Sequence, residues 1–287
     1  MNQNLTEKIA VTWHPNIPKA EAVAEEIAGT LNLKGIPLPN IAKLNDPVFR
    51  RSLKKGEFDL VIALGGDGTM IRAGKLCAPG KIPVWGINMG SLGFLLETGP
   101  NDWREKLDSL IQGNYRIEKR MMLHAEIHPL NGKMQSHEVL NEVIVTRGTD
   151  IRPIHLSVRI NGRNLAEYVA DGLIAASATG STAYAMAASG PILPPELRNI
   201  LLLPVAPHLC FDRCLVLSEM DTVGIEVTSD VDTVFCPDGG NLTRLAKGDL
   251  VTVRASADSA RFIRFEDEDA FYRKVTRNMQ RNSAAGE

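Results

Sequence analysis

Gly65-Gly66-Asp67-Gly68-Thr69 follows directly on Leu60-Val61-Ile62-Ala63-Leu64, an unbroken apolar run. Three glycines let a backbone approach a phosphate closely. A helix over Met70–Leu76 can aim its first amides at an anion. A carboxylate amid such glycines is repelled by phosphate unless it has work, such as taking a proton from a hydroxyl or meeting a metal ion. The alternative is a tight strand-to-helix turn with Asp67 as the helix cap. Both readings stay open on these residues alone.

Two further segments carry usable groups. In Asn141-Glu142 an amide stands beside a carboxylate, a pair able to accept from ribose hydroxyls and donate to a base or phosphate. Taken in isolation it reads as a polar pair on a solvated strand edge. Asp171 to Tyr184 reads as a strand, a glycine-hydroxyl loop and a helix over Thr182–Ala188. Thr179, Ser181 and Thr182 offer hydroxyls and caps for a second phosphate or nucleotide. Ala183, Ala185, Ala187 and Ala188 permit close packing, so part of this segment is structural.

Several chemistries are excluded. There is no GxGxxG, and Gly74-Lys75 lacks the upstream Walker glycine. Ser181 lacks the G-x-S-x-G setting of a hydrolase nucleophile. His124 and His128 flank Glu126 on one strand face, which reads as an alternating polar face and not as metal ligands. The cysteines (Cys77, Cys210, Cys214, Cys236) form no CxxC and read as buried free thiols in a reducing compartment.

The elements that must position these groups change character along the chain. Strands at Lys8–Trp13, Leu60–Leu64 and Val84–Ile87 alternate with helices after Pro18 and over Asn101–Gln112. The first helix carries Ala20, Val23, Ala24, Ile27 and Leu31 at helical spacing, the second Trp103, Leu107, Leu110 and Ile111. That alternation predicts a doubly wound, Rossmann-like α/β domain over residues 1–120. From 121 to 265 short strands dominate: Met122–His128, Glu138–Thr146, Leu156–Ile160, Val223–Val227, Val234–Cys236 and Leu250–Ala255. Asn-Gly turns at 131–132 and 161–162 separate some of them. A helix over Asp269–Arg281, with Phe271, Val275 and Met279 on one stripe, is expected to pack back on the first domain.

The 287 residues carry 32 basic and 34 acidic side chains, a net charge of −2, so nothing favours a polyanionic backbone as partner. No run of about eighteen apolar residues occurs, and a membrane span is not expected. Met1–Lys8 is polar without an apolar core, so a secretory signal is not expected and the location expected is cytoplasmic.

The three segments, in this order, resemble NAD kinases. The likeness extends to Gly86–Phe94, Arg120–Leu123, Leu140–Glu142, Leu203–His208 and Asp238-Gly239. The resemblance implies an α/β domain followed by a β-rich one, with the active site in a cleft. The implied reaction is phosphoryl transfer from ATP, or polyphosphate, to the 2′-hydroxyl of the adenosine ribose of NAD, giving NADP. A divalent cation, usually Mg²⁺, is implied as cofactor. Asp67 matches the family's proton acceptor, and Gly68 lies beside the dinucleotide. Asn141 and Glu142 match the pair holding the nucleoside. Thr182, Ala183, Tyr184, Ala185, Met186 and Ala187 match the adenosine-binding run, while Phe94 and Ala206 match lesser contacts. Arg152 and Asp171 match positions completing the site, partly across a subunit interface, which implies a homodimer or homotetramer.

Some positions depart from the pattern. Ser177-Ala178 replaces Thr-Pro, Ser189 a glycine, Val169 a basic residue, Gly240 a glutamine and Ser91 a bulkier or basic residue. The Gly-Gly-Asp-Gly-Thr loop also occurs in lipid kinases of the diacylglycerol or sphingosine type, but their Asn-Glu pair follows within a few residues and Asn141 lies far downstream. A phosphofructokinase-like reading lacks its sugar-phosphate motifs. A non-catalytic dinucleotide sensor is the remaining alternative, motivated by Val169 and Gly240.

Overall fold

The computed structural model describes residues 7–90, 93–209 and 211–284, with side chains placed as far as 277; Ser91, Leu92, Cys210 and the side chain of Met279 fall outside this description. The chain forms two compact units. One comprises the residues up to Lys119 and those from Ser259 onward; the other is Arg120–Asp258. The return to the first unit therefore comes earlier than residue 266, where the sequence pattern places it.

In the first unit β1 (Ile9–Trp13), α1 (Pro18–Leu33), β2 (Asn40–Lys43), α2 (Pro47–Lys55), β3 (Leu60–Gly65), α3 (Asp67–Cys77), β4 (Val84–Asn88) and α4 (Trp103–Ile111) follow one another. The strands lie in the order β2-β1-β3-β4, all parallel. β1, β3 and β4 are buried along their whole length, which is why they read as uninterrupted apolar runs. Ile27 and Leu31 of α1 join Trp103, Leu107 and Leu110 of α4 in one apolar cluster with Trp85. Ile111, expected on that stripe, is exposed. β2 and α2 carry no strong apolar pattern; α2 is fixed instead by its cap, Asp46 accepting from Val48 and Phe49, and by Gly56 in the left-handed region.

The second unit begins within β5 (Arg116–His128). It continues through β6 (Gln135–Val139), β7 (Glu142–Arg147), β8 (Ile154–Ile160), β9 (Arg163–Ala170), β10 (Gly172–Ser177), α5 (Tyr184–Ala187), β11 (Asn199–Val205), β12 (Leu215–Ser218), β13 (Val223–Val227), β14 (Thr233–Pro237) and β15 (Thr243–Leu245). It ends within β16 (Leu250–Arg264). One antiparallel sheet runs β12-β11-β10-β7-β14-β15. In the other, β13 lies between β8 and β16, and β8 pairs with β9. Leu123, Val143, Leu156, Leu173, Ile225, Phe235 and Val251 meet in the core they share. Asn161 and Gly162 both take positive φ, the tight hairpin expected of Asn-Gly. The last turns of the chain return to the first unit, where Phe262 pairs with Val84 and α6 (Ala270–Ala284) follows.

Three expected elements differ. Glu138–Thr146 is two strands, because Leu140 and Asn141 leave the ladder to donate their N–H groups to Asp238. Thr182–Ala188 is a 3₁₀ turn at Gly180–Thr182 and then the single turn α5, broken at Ala183. Leu250–Ala255 is only the start of the long β16.

Candidate functional site

The glycine loop leaves β3 and enters α3 without a pause. The cap of α3 is Gly66, with no side-chain capping bond, so Asp67 is not the helix cap. Its carboxylate instead accepts from the amides of Phe94 and Leu95, at 2.8 Å on Oδ2 and 3.1 Å on Oδ1. Gly93 lets the loop approach this closely: a Cβ there falls 2.1 Å from Oδ2. Each carboxylate oxygen keeps a lone pair for a further partner. Gly66 and Gly68 have open space where a Cβ would stand. With Thr69, Arg72, His14, Asn16 and Ile17 they line a cleft of about 300 Å³. Amides of a helix start, glycines without side chains and one guanidinium suit a phosphate chain.

His14, Asn16 and Arg72 were not singled out by sequence reasoning. Arg72 carries a readable signal, since it lies four residues after Gly68 and so shares its helix face. His14 and Asn16 carry none, because they reach the cleft only through the parallel pairing of β1 with β3.

In the second unit the Asn141-Glu142 pair is built by one carboxylate. Asp238, itself at positive φ, accepts from the amides of Leu140 (3.0 Å), Asn141 (2.7 Å) and Glu142 (3.3 Å). Ser177 fixes the other side, its N–H donating to Asn141 O and its hydroxyl to Leu140 O. Gly180 passes so close that a Cβ there falls 2.2 Å from Asn141 O. The pair is therefore held in place, Glu142 buried and Asn141 half-buried, not spread on a solvated edge. Glu142 is 5% exposed. Burial pushes its carboxyl up to about 7, helped by the negative charge of Asp238 and opposed by the Tyr184 amide that donates to it. Asn141 Oδ1 and Glu142 Oε2 are buried without a partner in the protein. Two orphaned acceptors side by side suit a ligand that brings hydroxyl donors.

The hydroxyls of the third segment are largely spent on structure. Ser181 donates to Ala178 O and accepts from Leu193 N, and Thr182 donates to Thr179 O. The one-turn α5 gives no helix N-terminus for a phosphate. Ala185 is buried, while Tyr184 and Met186 keep exposed side chains beside Glu142's backbone partner. Ala183 and Thr182 are half-buried, and Ala187 is exposed. Ala206, at positive φ, is exposed after β11. Arg152 pairs with Asp150 at 2.5 Å and Asp171 with Arg147 at 3.0 Å. Among the described residues no three His, Cys, Asp or Glu side chains converge as a metal cage. His124 bonds Glu138 and Glu126, the polar strand face expected.

Residues 12–115 match the model of the ATP-NAD kinase N-terminal domain, and residues 140–265 that of the ATP-NAD kinase C-terminal domain. The chain is 38% identical over 280 residues to the NAD kinase of Heliobacterium modesticaldum, covering 95% of this chain and 98% of that one. It is 34% identical to the NAD kinase of Citrifermentans bemidjiense, covering 92% and 96%. Its fold is similar to yeast NADH kinase complexed with NADH (TM-score 0.84, 23% identity, 96% of this chain and 87% of that one). It is also similar to an NAD kinase from Archaeoglobus fulgidus in complex with ATP (TM-score 0.74, 24% identity, 94% and 97%). Glycine loop, Asn-Glu pair and both domain models lie on one chain in one order, and the chain belongs to the ATP-NAD kinase family.

Proposed function

We propose that this protein transfers the γ-phosphoryl group of ATP to the 2′-hydroxyl of the adenosine ribose of NAD, forming NADP and ADP, with Asp67 as the proton acceptor. The observation carrying this reading is the Asp67 carboxylate, pinned by two backbone amides at a glycine cleft with a guanidinium in its wall. The hydroxyl oxygen forms the new P–O bond while the bond from phosphorus to the β–γ bridging oxygen breaks, and ADP leaves with that electron pair. The hydroxyl proton passes to Asp67. Phosphoryl transfer needs mostly positioning and charge stabilisation, so one base in a fixed place and a phosphate cradle suffice.

Asn141 Oδ1 and Glu142 Oε2 accept from ribose hydroxyls of NAD, which explains two acceptors left orphaned in the protein. Thr182 to Ala187 form the adenosine-side wall, with Tyr184 and Met186 as its apolar surface; Phe94, Gly68 and Ala206 are lesser contacts. The donor set suits a divalent cation such as Mg²⁺ that arrives on nucleotide phosphates, because Mg²⁺ keeps waters and needs only one or two carboxylates. Asp67 would meet such a cation, which when bound would neutralise charge on the transferring phosphate. Arg152 and Asp171 face a second subunit in a homodimer or homotetramer. The work is done in the cytoplasm, on small molecules only.

Purified protein with ATP, Mg²⁺ and NAD should form NADP; a parallel arm with polyphosphate reads donor choice. Asp67→Asn keeps size and removes basicity, and should lower kcat by ~10²–10⁴. NAD binding with no NADP formed by the native protein would overturn the reading.

A further inference from the structure

The amides that hold Asp67 belong to a loop with its own anchors. The C=O of Phe94 accepts from Lys274 Nζ on α6 at 3.4 Å, and the C=O of Leu95 accepts from Arg264 Nη1 at 2.7 Å. Arg264 is fixed in turn by Glu118, whose Oε1 takes Nε at 3.0 Å and Nη2 at 2.9 Å. Glu97 lies 3.8 Å from Lys274 and 3.5 Å from Arg264, and its other oxygen accepts from the amide of Phe265. Lys274, Arg264, Glu97 and Glu118 all have side chains no more than 9% exposed.

The connectivity runs through one peptide group. The carbonyl of Phe94 and the amide of Leu95 are the two ends of the same peptide unit. A cation on its oxygen polarises it, so its N–H becomes a stronger donor to Asp67 Oδ1. A buried ammonium is costly to keep, and this one meets the carboxylate of Glu97 and the carbonyl of Phe94. We propose that Lys274 is a positioning residue for phosphoryl transfer, acting through the 94–95 peptide to hold the Asp67 carboxylate, while Arg264 anchors the same loop. This rests on Asp67 as the proton acceptor.

The charge on Lys274 is the part that titrates. Burial lowers it to about 8, with Arg264 adding to the fall, while Glu97, Glu266 and Glu118 hold it up. The charge that makes the link to Asp67 is therefore half lost near pH 8, kept at lower pH and lost as the pH rises through that value.

The test is kcat against pH for the native enzyme, Lys274→Met, Lys274→Arg and Asp67→Asn, with KM for NAD and ATP and a melting curve for each. Native kcat should fall as pH rises through about 8. Lys274→Met should lose roughly 10- to 100-fold in kcat below pH 8, with both KM values little changed and no such fall. Lys274→Arg, charged at every pH used, should restore kcat and carry it past pH 9. A native-like kcat and pH profile in Lys274→Met, with Asp67→Asn inactive, overturns this proposal alone. Equal losses in Lys274→Met and Lys274→Arg, with the native pH profile kept, also overturn it, since that marks mere packing. Full kcat in Asp67→Asn removes the base itself, and this proposal with it.

Discussion

Glu142→Gln should stabilise the protein above neutral pH and leave it unchanged in acid. The ordinary carboxyl value is 4.5, and burial with the neighbouring Asp238 charge raises Glu142 to about 7. A raised acid binds its proton more tightly folded than unfolded. The stability it supports is fully present below pH 4.5, declines between 4.5 and 7, and is gone above 7. At 1.36 kcal/mol per pKa unit the gap is worth about 3 kcal/mol. Gln mimics the protonated form and keeps an oxygen for the Tyr184 amide, so it avoids that loss at every pH. Urea unfolding of both proteins at pH 5 and pH 8.5, followed by far-UV circular dichroism, isolates the effect, because other titrating groups cancel between them. The variant's advantage should grow by about 2.5 kcal/mol across that range, since the unfolded carboxyl is already mostly ionised at pH 5. An advantage that does not change with pH would refute the claim that desolvation of this carboxylate dominates.

Other outcomes follow from the same geometry. Asn141→Ala should raise KM for NAD more than KM for ATP in steady-state assays; a change confined to ATP would mean the ligand subsites are reversed. Ser189 holds φ +64°, where a side chain costs about 1–2 kcal/mol, so Ser189→Gly should raise stability by about 0.5–1 kcal/mol in thermal or urea melts despite glycine's greater unfolded freedom. Light scattering at micromolar concentration should give a dimer or tetramer, and a fully active monomer would exclude a site shared through Arg152 and Asp171.

The legible parts of the fold were those with a strong local period. β1, β3 and β4 are buried on both faces and show it as apolar runs; α1 shows its buried stripe at Ala20, Ala24, Ile27 and Leu31. β9, β12 and α2 were not legible, because half-exposed residues on short elements leave little pattern. The break at Leu140-Asn141 hides inside a run that alternates well enough for a single strand. Its cause, Asp238, lies almost a hundred residues away.

By itself the sequence determines the strand, the glycine turn and the helix that put Asp67 at the carboxyl end of β3, since turn chemistry and periodicity act over a few residues. It also places Asn141 beside Glu142 and Gly93 near Phe94. Tertiary structure alone decides what those groups are. It turns Asp67 from a possible cap into a carboxylate held by the amides of Phe94 and Leu95. It buries Glu142 beside Asp238 and orphans its Oε2. It brings Lys274 from the far end of the chain to the carbonyl of Phe94. Desolvation and hydrogen bonds between distant residues depend on which surfaces meet, and no local pattern encodes that meeting.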